Sequence, residues 1–226
     1  MNYRLIIFDL DGTLVNTITD LAYACNHALE ACGYKPYRVE DYPRMVGNGI
    51  YRLMSRALKA QGIDAEADSE QVEEMTPIFK DYYNHHLTDH SVAYDGITEM
   101  LEDLQNKGVL LAVASNKYQQ ATEQIIRMLF PSIHFTAILG QRDGIAKKPD
   151  PQIVYEIIDI ANSTQVQAIV KEDVLYVGDS HVDQQTAENA GVEYKLVNWG
   201  FESQQDDDPH VICSPAELLN KQRTIR

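Results

Sequence analysis

The stretch Asp9-Leu10-Asp11-Gly12-Thr13 follows directly on the apolar run Tyr3-Arg4-Leu5-Ile6-Ile7-Phe8. A run that apolar reads as a buried strand, central in a parallel sheet. Two carboxylates then stand where a buried strand does not tolerate unpaired charge, so a cationic partner is expected beside them. Residues i and i+2 of a strand point to the same face, so Asp9 and Asp11 converge on one site. The simplest partner is a hard divalent cation. Gly12 and Thr13 turn the chain out of the strand.

The rest of the chain alternates strands and helices. Expected strands are Val109–Ala114, Phe135–Leu139, Val174–Val177 and Glu193–Val197, with helices at 97–107, 119–129, 151–161 and 181–190. This order implies a parallel sheet with helices on both faces. Residues 15–90 contain no convincing strand. They read as helices over 17–31, where Thr17 or Thr19 would cap, then 50–61 and 70–87. The fold class is therefore α/β, a Rossmann-like parallel-sheet core (1–14 and 91–226) with a helical cap domain (15–90) inserted after the first strand.

Four polar pieces lie just beyond the expected strand ends, where ligands bind in open parallel sheets. They are Asp9/Asp11/Thr13, Ser115-Asn116-Lys117, Lys148-Pro149-Asp150-Pro151 and Gly178-Asp179-Ser180-His181-Val182-Asp183. Singly, Ser115-Asn116 reads as a helix cap, Lys147-Lys148 as a solvated pair, and Gly178-Asp179 as a turn. Together, in this order and all at strand ends, they read as one site.

With those motifs the chain resembles the haloacid-dehalogenase-like hydrolases, in their phosphatase branch. The match comprises Asp-x-Asp-Gly-Thr at 9–13, the serine at 115, the Lys-Pro-x-Pro lysine at 148, and Gly-Asp-Ser-x-x-Asp at 178–183. Asp11 argues against dehalogenation, since true dehalogenases lack that second aspartate. The resemblance implies hydrolysis of a small phosphate monoester through an aspartyl-phosphate, with Asp9 as nucleophile and Asp11 as general acid and base. It implies Mg²⁺ as cofactor, held by the Asp9 side chain, the Asp11 main-chain carbonyl and the Asp179 side chain, with Asp183 as an outer partner. Thr13, Ser115, Asn116 and Lys148 would cradle the phosphoryl group; spacing to the two prolines favours Lys148 over Lys147.

Substrate choice falls to the cap. Arg44-Met45-Val46-Gly47-Asn48-Gly49 resembles the cap loop of phosphoglycolate phosphatases, so Arg44, Gly47, Asn48 and Gly49 are the expected selectors and 2-phosphoglycolate the first candidate. Pyrophosphate, a sugar phosphate, or a phosphomutase reaction on the same scaffold are the alternatives. His85, His86 and His90 lack an accompanying metal motif, and His181 lies beside the site. A formal net charge of −15 argues against nucleic acid or an anionic membrane as partner, leaving a small phosphorylated metabolite. Cys25 and Cys32 read as buried small residues on one helix face, and Asp206-Asp207-Asp208-Pro209 as a solvated loop. The expected state is a cytoplasmic monomer or homodimer.

Overall fold

In the computed structural model, which describes residues 3–220, the chain forms two compact units. One comprises 1–15 with 93–226, the other 16–92.

The first unit is built on β1 (Leu5–Phe8), whose four side chains are all buried. It lies between β4 (Leu110–Tyr118) and β6 (Val174–Gly178), parallel to both. β5 (Phe135–Gln141) extends the sheet beyond β4. β7 (Glu193–Val197) and β8 (Val211–Ile212) extend it beyond β6. The order is β5-β4-β1-β6-β7-β8, and every pairing is parallel. The chain runs from β1 out to β4 and β5 on one side and then returns past β1 to β6, β7 and β8 on the other, so the carboxyl end of β1 lies at the switch point, where ligands bind in such sheets.

Alternation along β1 sends Leu5 and Ile7 to one face and Ile6 and Phe8 to the other. Leu5 and Ile7 join Ala112, Ala114, Val174 and Tyr176 in a core closed by α6 (Gln152–Asn162) and α7 (His181–Ala190). Helices α4 (Ile97–Asn106) and α5 (Gln119–Leu129) pack on β4 and cover the other face.

The second unit holds α1 (Ile18–Ala31), a 3₁₀ turn at Val39–Arg44, α2 (Ile50–Lys59) and α3 (Glu70–His85). Helix α3 buries Val72, Met75, Thr76, Phe79 and Tyr83, a helical spacing that faces α1 and α2. Thr17, one of the two expected caps, stands at the N-cap position of α1 without a side-chain cap bond, and the amide of Ile18 donates to Asn16 Oδ1 at 3.3 Å. Asp20 is buried, and its carboxylate accepts from the amides of His90 and Ser91 and from the Ser91 hydroxyl, at 3.0, 2.7 and 2.6 Å. The start of α1 is thereby tied to the residues by which the chain leaves the unit.

Several expectations are corrected. Two short strands not foreseen, β2 (Val15–Asn16) and β3 (Val92–Ala93), pair as a two-stranded sheet. Strand β8 and α8 (Ala216–Asn220) were not foreseen; both are too short to carry a period. Ser115, Asn116 and Lys117 were expected just beyond the strand that ends at Ala114. They lie within β4, over an irregularity between Ala114 and Tyr118, and Tyr118 occupies the cap of α5. Cys25 is buried, but α1 stops at Ala31, so Cys32 sits past its end and is half-exposed.

Because Ile7 is fully buried in the central strand, Ile7→Ala is expected to cost about 2–5 kcal/mol. Urea unfolding followed by circular dichroism measures it, and a loss below about 1 kcal/mol would contradict the packing described.

Candidate active site

The carboxyl ends of β1, β4 and β6 and the loop between β5 and α6 bring the four motifs together. Asp9, Asp179 and Asp183 are all buried, and each offers an oxygen within 4.8 Å of the others. Asp9 follows β1 directly. Asp179 follows β6, and Asp183 sits in the first turn of α7. Gly12, at φ +87°, makes the turn out of β1, and a Cβ there would stand 2.2 Å from Asp179 Oδ2. The backbone conformation and the nearby carboxylate both exclude a side chain at this position.

Lys148 is the one ammonium among these three carboxylates. Its Nζ donates to Asp9 Oδ1 at 2.8 Å, Asp183 Oδ1 at 2.7 Å and the Ala114 carbonyl at 3.0 Å. The Tyr176 hydroxyl is 3.1 Å away. Lys147, by contrast, is exposed. The main chain of Lys148 is fixed by Asn116, whose Oδ1 accepts from the Lys148 amide at 2.9 Å and whose Nδ2 donates to the Lys148 carbonyl at 3.1 Å. The Asn116 side chain is therefore turned to the lysine, and sets its position.

With all three ionised, the one ammonium found among them in the described residues would leave two negative charges uncompensated. Burial pushes the Asp9 carboxyl up to about 7; Lys148 pulls it down, and Asp183 and Asp11 add to the rise. Burial, with Asp183 and Asp9, carries Asp179 well above the carboxylate range against the Phe201 amide. Burial also works against the charge on Lys148, but Asp183 and Asp9 outweigh it and hold the ammonium.

A divalent cation fits this balance, and the hydrogen bonds indicate where. Asp183 has both oxygens engaged, Oδ1 by Lys148 and Tyr176 and Oδ2 by the Ser180 amide and hydroxyl. Asp9 Oδ1 is taken by Lys148, and Asp179 Oδ2 by the Phe201 amide at 2.7 Å. Among the described residues, no donor reaches Asp9 Oδ2 or Asp179 Oδ1. These two oxygens are the ones left for a hard cation.

Asp11 stands apart from the cluster. Both its oxygens accept from Lys117 Nζ at 2.9 Å, and the lysine is buried. Sequence reasoning gave Lys117 no role, since nothing local signals a partner 106 positions away. The Ser115 hydroxyl accepts from the Lys117 amide at 3.1 Å, which leaves its O–H to donate elsewhere. Thr13 Oγ1 is buried with no hydrogen-bond partner among the described residues. A buried hydroxyl left in that state is costly unless a ligand satisfies it.

A family model described as haloacid dehalogenase-like hydrolase matches residues 6–197. The chain belongs to the haloacid dehalogenase-like hydrolases. It is 31% identical to the phosphoglycolate phosphatase of Mesorhizobium japonicum, over 97% of this chain and 94% of that protein. It is 33% identical to the phosphoglycolate phosphatase of Pseudomonas putida, over 98% of this chain and 78% of that protein. A Lactobacillus delbrueckii subsp. bulgaricus crystal structure, provisionally named a phosphoglycolate phosphatase, superposes with a TM-score of 0.86 at 30% identity over all of both chains. The enzyme is thus a hydrolase, and its relatives fall in the phosphatase branch expected from the motifs.

His181 is exposed and paired through Nδ1 with Glu202 at 2.9 Å. His85 Nδ1 meets the Asp81 carbonyl, His86 Nδ1 meets Asp89, and His90 stands edge-on to Tyr23. Arg44 and Gly47 are exposed, whereas Asn48 and Gly49 are half-buried. Asp206, Asp207 and Asp208 are exposed, with Asp206 accepting from Asn198.

The raised pKa of Asp9 has a consequence for stability. Its folded form keeps a proton that the unfolded chain has released, so in chelator its contribution is lost as pH rises from about 4 to about 7 and levels off above. Asp9→Asn carries no titrating group there and is expected to flatten this decline. Urea midpoints of both proteins between pH 4 and pH 8 measure the difference, and parallel curves would contradict it.

Proposed function

We propose that this hydrolase dephosphorylates 2-phosphoglycolate in a Mg²⁺-dependent reaction through an aspartyl-phosphate on Asp9. The observation that carries the reading is the buried set of Asp9, Asp179 and Asp183 against one lysine, beside an unsatisfied threonine hydroxyl. An excess of buried negative charge is stable only when a cation completes it. The Asp9 and Asp179 side chains and the Asp11 carbonyl would hold Mg²⁺, with Asp183 outside them. The ion would offset the repulsion between the Asp9 carboxylate and an anionic phosphoryl group.

The residues then divide the work. Asp9 attacks phosphorus, and the bond from phosphorus to the leaving oxygen breaks. Asp11 protonates that oxygen as it departs. In the second displacement Asp11 takes a proton from water, the water oxygen bonds to phosphorus, and the Asp9–phosphorus bond breaks. Lys148, the Ser115 hydroxyl and the Thr13 hydroxyl would hold the phosphoryl oxygens, Lys148 countering the charge that moves during transfer.

Substrate selection is assigned to the loop at 44–49. Gly47, Asn48 and Gly49 follow one another at φ +103°, +64° and +84°. This succession exposes main-chain amides with little side-chain bulk, which suits a small carboxylate. The names of the relatives support 2-phosphoglycolate as the ester. Three free cysteines suit a reducing cytoplasmic compartment, and no helix among the described residues is long and apolar enough to cross a membrane.

A phosphate-release screen over small phosphoesters, with Mg²⁺ and with chelator, tests this. We expect 2-phosphoglycolate to lead and chelator to abolish turnover. Activity in chelator would remove the cation from the reaction, and isomer formation without phosphate release would indicate a mutase. Asp9→Asn is expected to lower kcat about 1,000-fold or more, or about 4 kcal/mol. Substantial turnover in a folded Asp9→Asn would exclude Asp9 as nucleophile.

A further inference from the structure

The segment Trp199–Gln204, between β7 and β8, carries none of the four motifs, yet it closes on the site at several points. The Phe201 amide donates to Asp179 Oδ2 at 2.7 Å, and Gln204 Nε2 donates to the Asp179 carbonyl at 2.7 Å. Trp199 Nε1 donates to the Thr13 carbonyl at 3.1 Å, linking the segment to the first motif. A Cβ at Gly200 would stand 2.2 Å from Asp179 Cβ, 2.6 Å from Asp179 Oδ2 and 2.7 Å from the Gly12 carbonyl. The main chain at Gly200 is therefore packed directly against the side chain of Asp179, and only glycine allows that approach. Glu202 is tied in turn to His181, accepting from its amide at 3.0 Å.

We propose that Trp199–Gln204 is a wall of the cation site, and that Gly200, Phe201 and Gln204 are positioning residues for Asp179. The inference rests on the reading that Asp9 and Asp179 hold a divalent cation. The Phe201 amide occupies one carboxylate oxygen and fixes the plane of the group. The other oxygen, Oδ1, is thereby held in one direction. Gly200 prevents the carboxylate from turning away, and Gln204 anchors the main chain behind it. Outer groups of this kind orient a ligand before the cation arrives, and their loss lowers metal affinity.

Mn²⁺ binding to the full chain, read by electron paramagnetic resonance and by calorimetry, tests the proposal independently of turnover. Wild type is expected to bind one Mn²⁺ in competition with Mg²⁺. Gly200→Ala is expected to weaken Mn²⁺ binding about 10- to 100-fold, with unchanged circular dichroism. Gln204→Leu, at a half-exposed position, is expected to show a smaller loss and serves if Gly200→Ala does not fold. Wild-type affinity in a folded Gly200→Ala would overturn the proposal, as would wild-type affinity in Gln204→Leu if that is the only variant to fold. If wild type itself binds no Mn²⁺, the cation reading fails and this inference fails with it, an outcome distinct from unchanged affinity in the variants.

Discussion

Buried negative charge at the carboxyl end of β1 is the constraint on which the rest of the site depends. Three aspartates lose their water there, and a single ammonium faces them. Sheet topology enforces the arrangement. β1 is flanked by parallel strands on both sides, so the loops after β1, β4 and β6 leave from one edge and cannot avoid each other. Burial of a charge is tolerated only with partners, and Lys148 supplies half of what Asp9 and Asp183 require. The same imbalance that raises the pKa of Asp9 and Asp179 is one that a dication would relieve. Removing one carboxylate would ease the repulsion but also weaken the reason for a cation to bind.

Fixing such a cluster takes groups that do no chemistry. Asn116 clamps the main chain of Lys148 on both its polar atoms. Tyr176, in the core below, brings its hydroxyl to Lys148 and Asp183. Ser180 holds the second oxygen of Asp183. Each bond removes a direction in which a carboxylate or an ammonium might turn, and the low dielectric makes each stronger than it would be in water. Asp9 Oδ2 and Asp179 Oδ1 are left outside this network, while their companion oxygens are held by Lys148 and the Phe201 amide.

Part of this was legible in the sequence because it depends on local pattern. The apolar run before Asp9 announces a central strand, and Val174–Val177 before Gly178-Asp179 announces a second one beside it. Glycine at 12 and the prolines after Lys148 mark where the chain turns. Ser115–Lys117 was misplaced, since polar residues at the end of an apolar run look like a cap, whereas here an irregular ladder with β5 carries the strand onward to Tyr118. Lys117 and the 199–204 segment were illegible for another reason. Their partners, Asp11, Asp179 and Thr13, are distant along the chain, and neither carries a period or a capping pattern. Long-range pairing of a lysine or a main-chain amide leaves no trace in its own neighbourhood.

Asp9 and Asp11 show how far such pairing can separate two identical side chains. They are two residues apart, and the strand geometry that suggested a shared site would give them one environment. Instead Asp9 is enclosed with Asp179 and Asp183, and its ammonium is shared with a second carboxylate. Asp11 is met by Lys117 symmetrically through both oxygens, and its side chain is more open to solvent. A nucleophile must be held rigidly near a compensating charge and kept from water. An acid and base must exchange a proton and therefore needs access. The two lysines, one from the end of β4 and one from the loop before α6, create that difference; the aspartates alone do not. On the proposed reading, the division of labour between Asp9 and Asp11 would follow from Lys117 and Lys148 and from the backbone elements that deliver them.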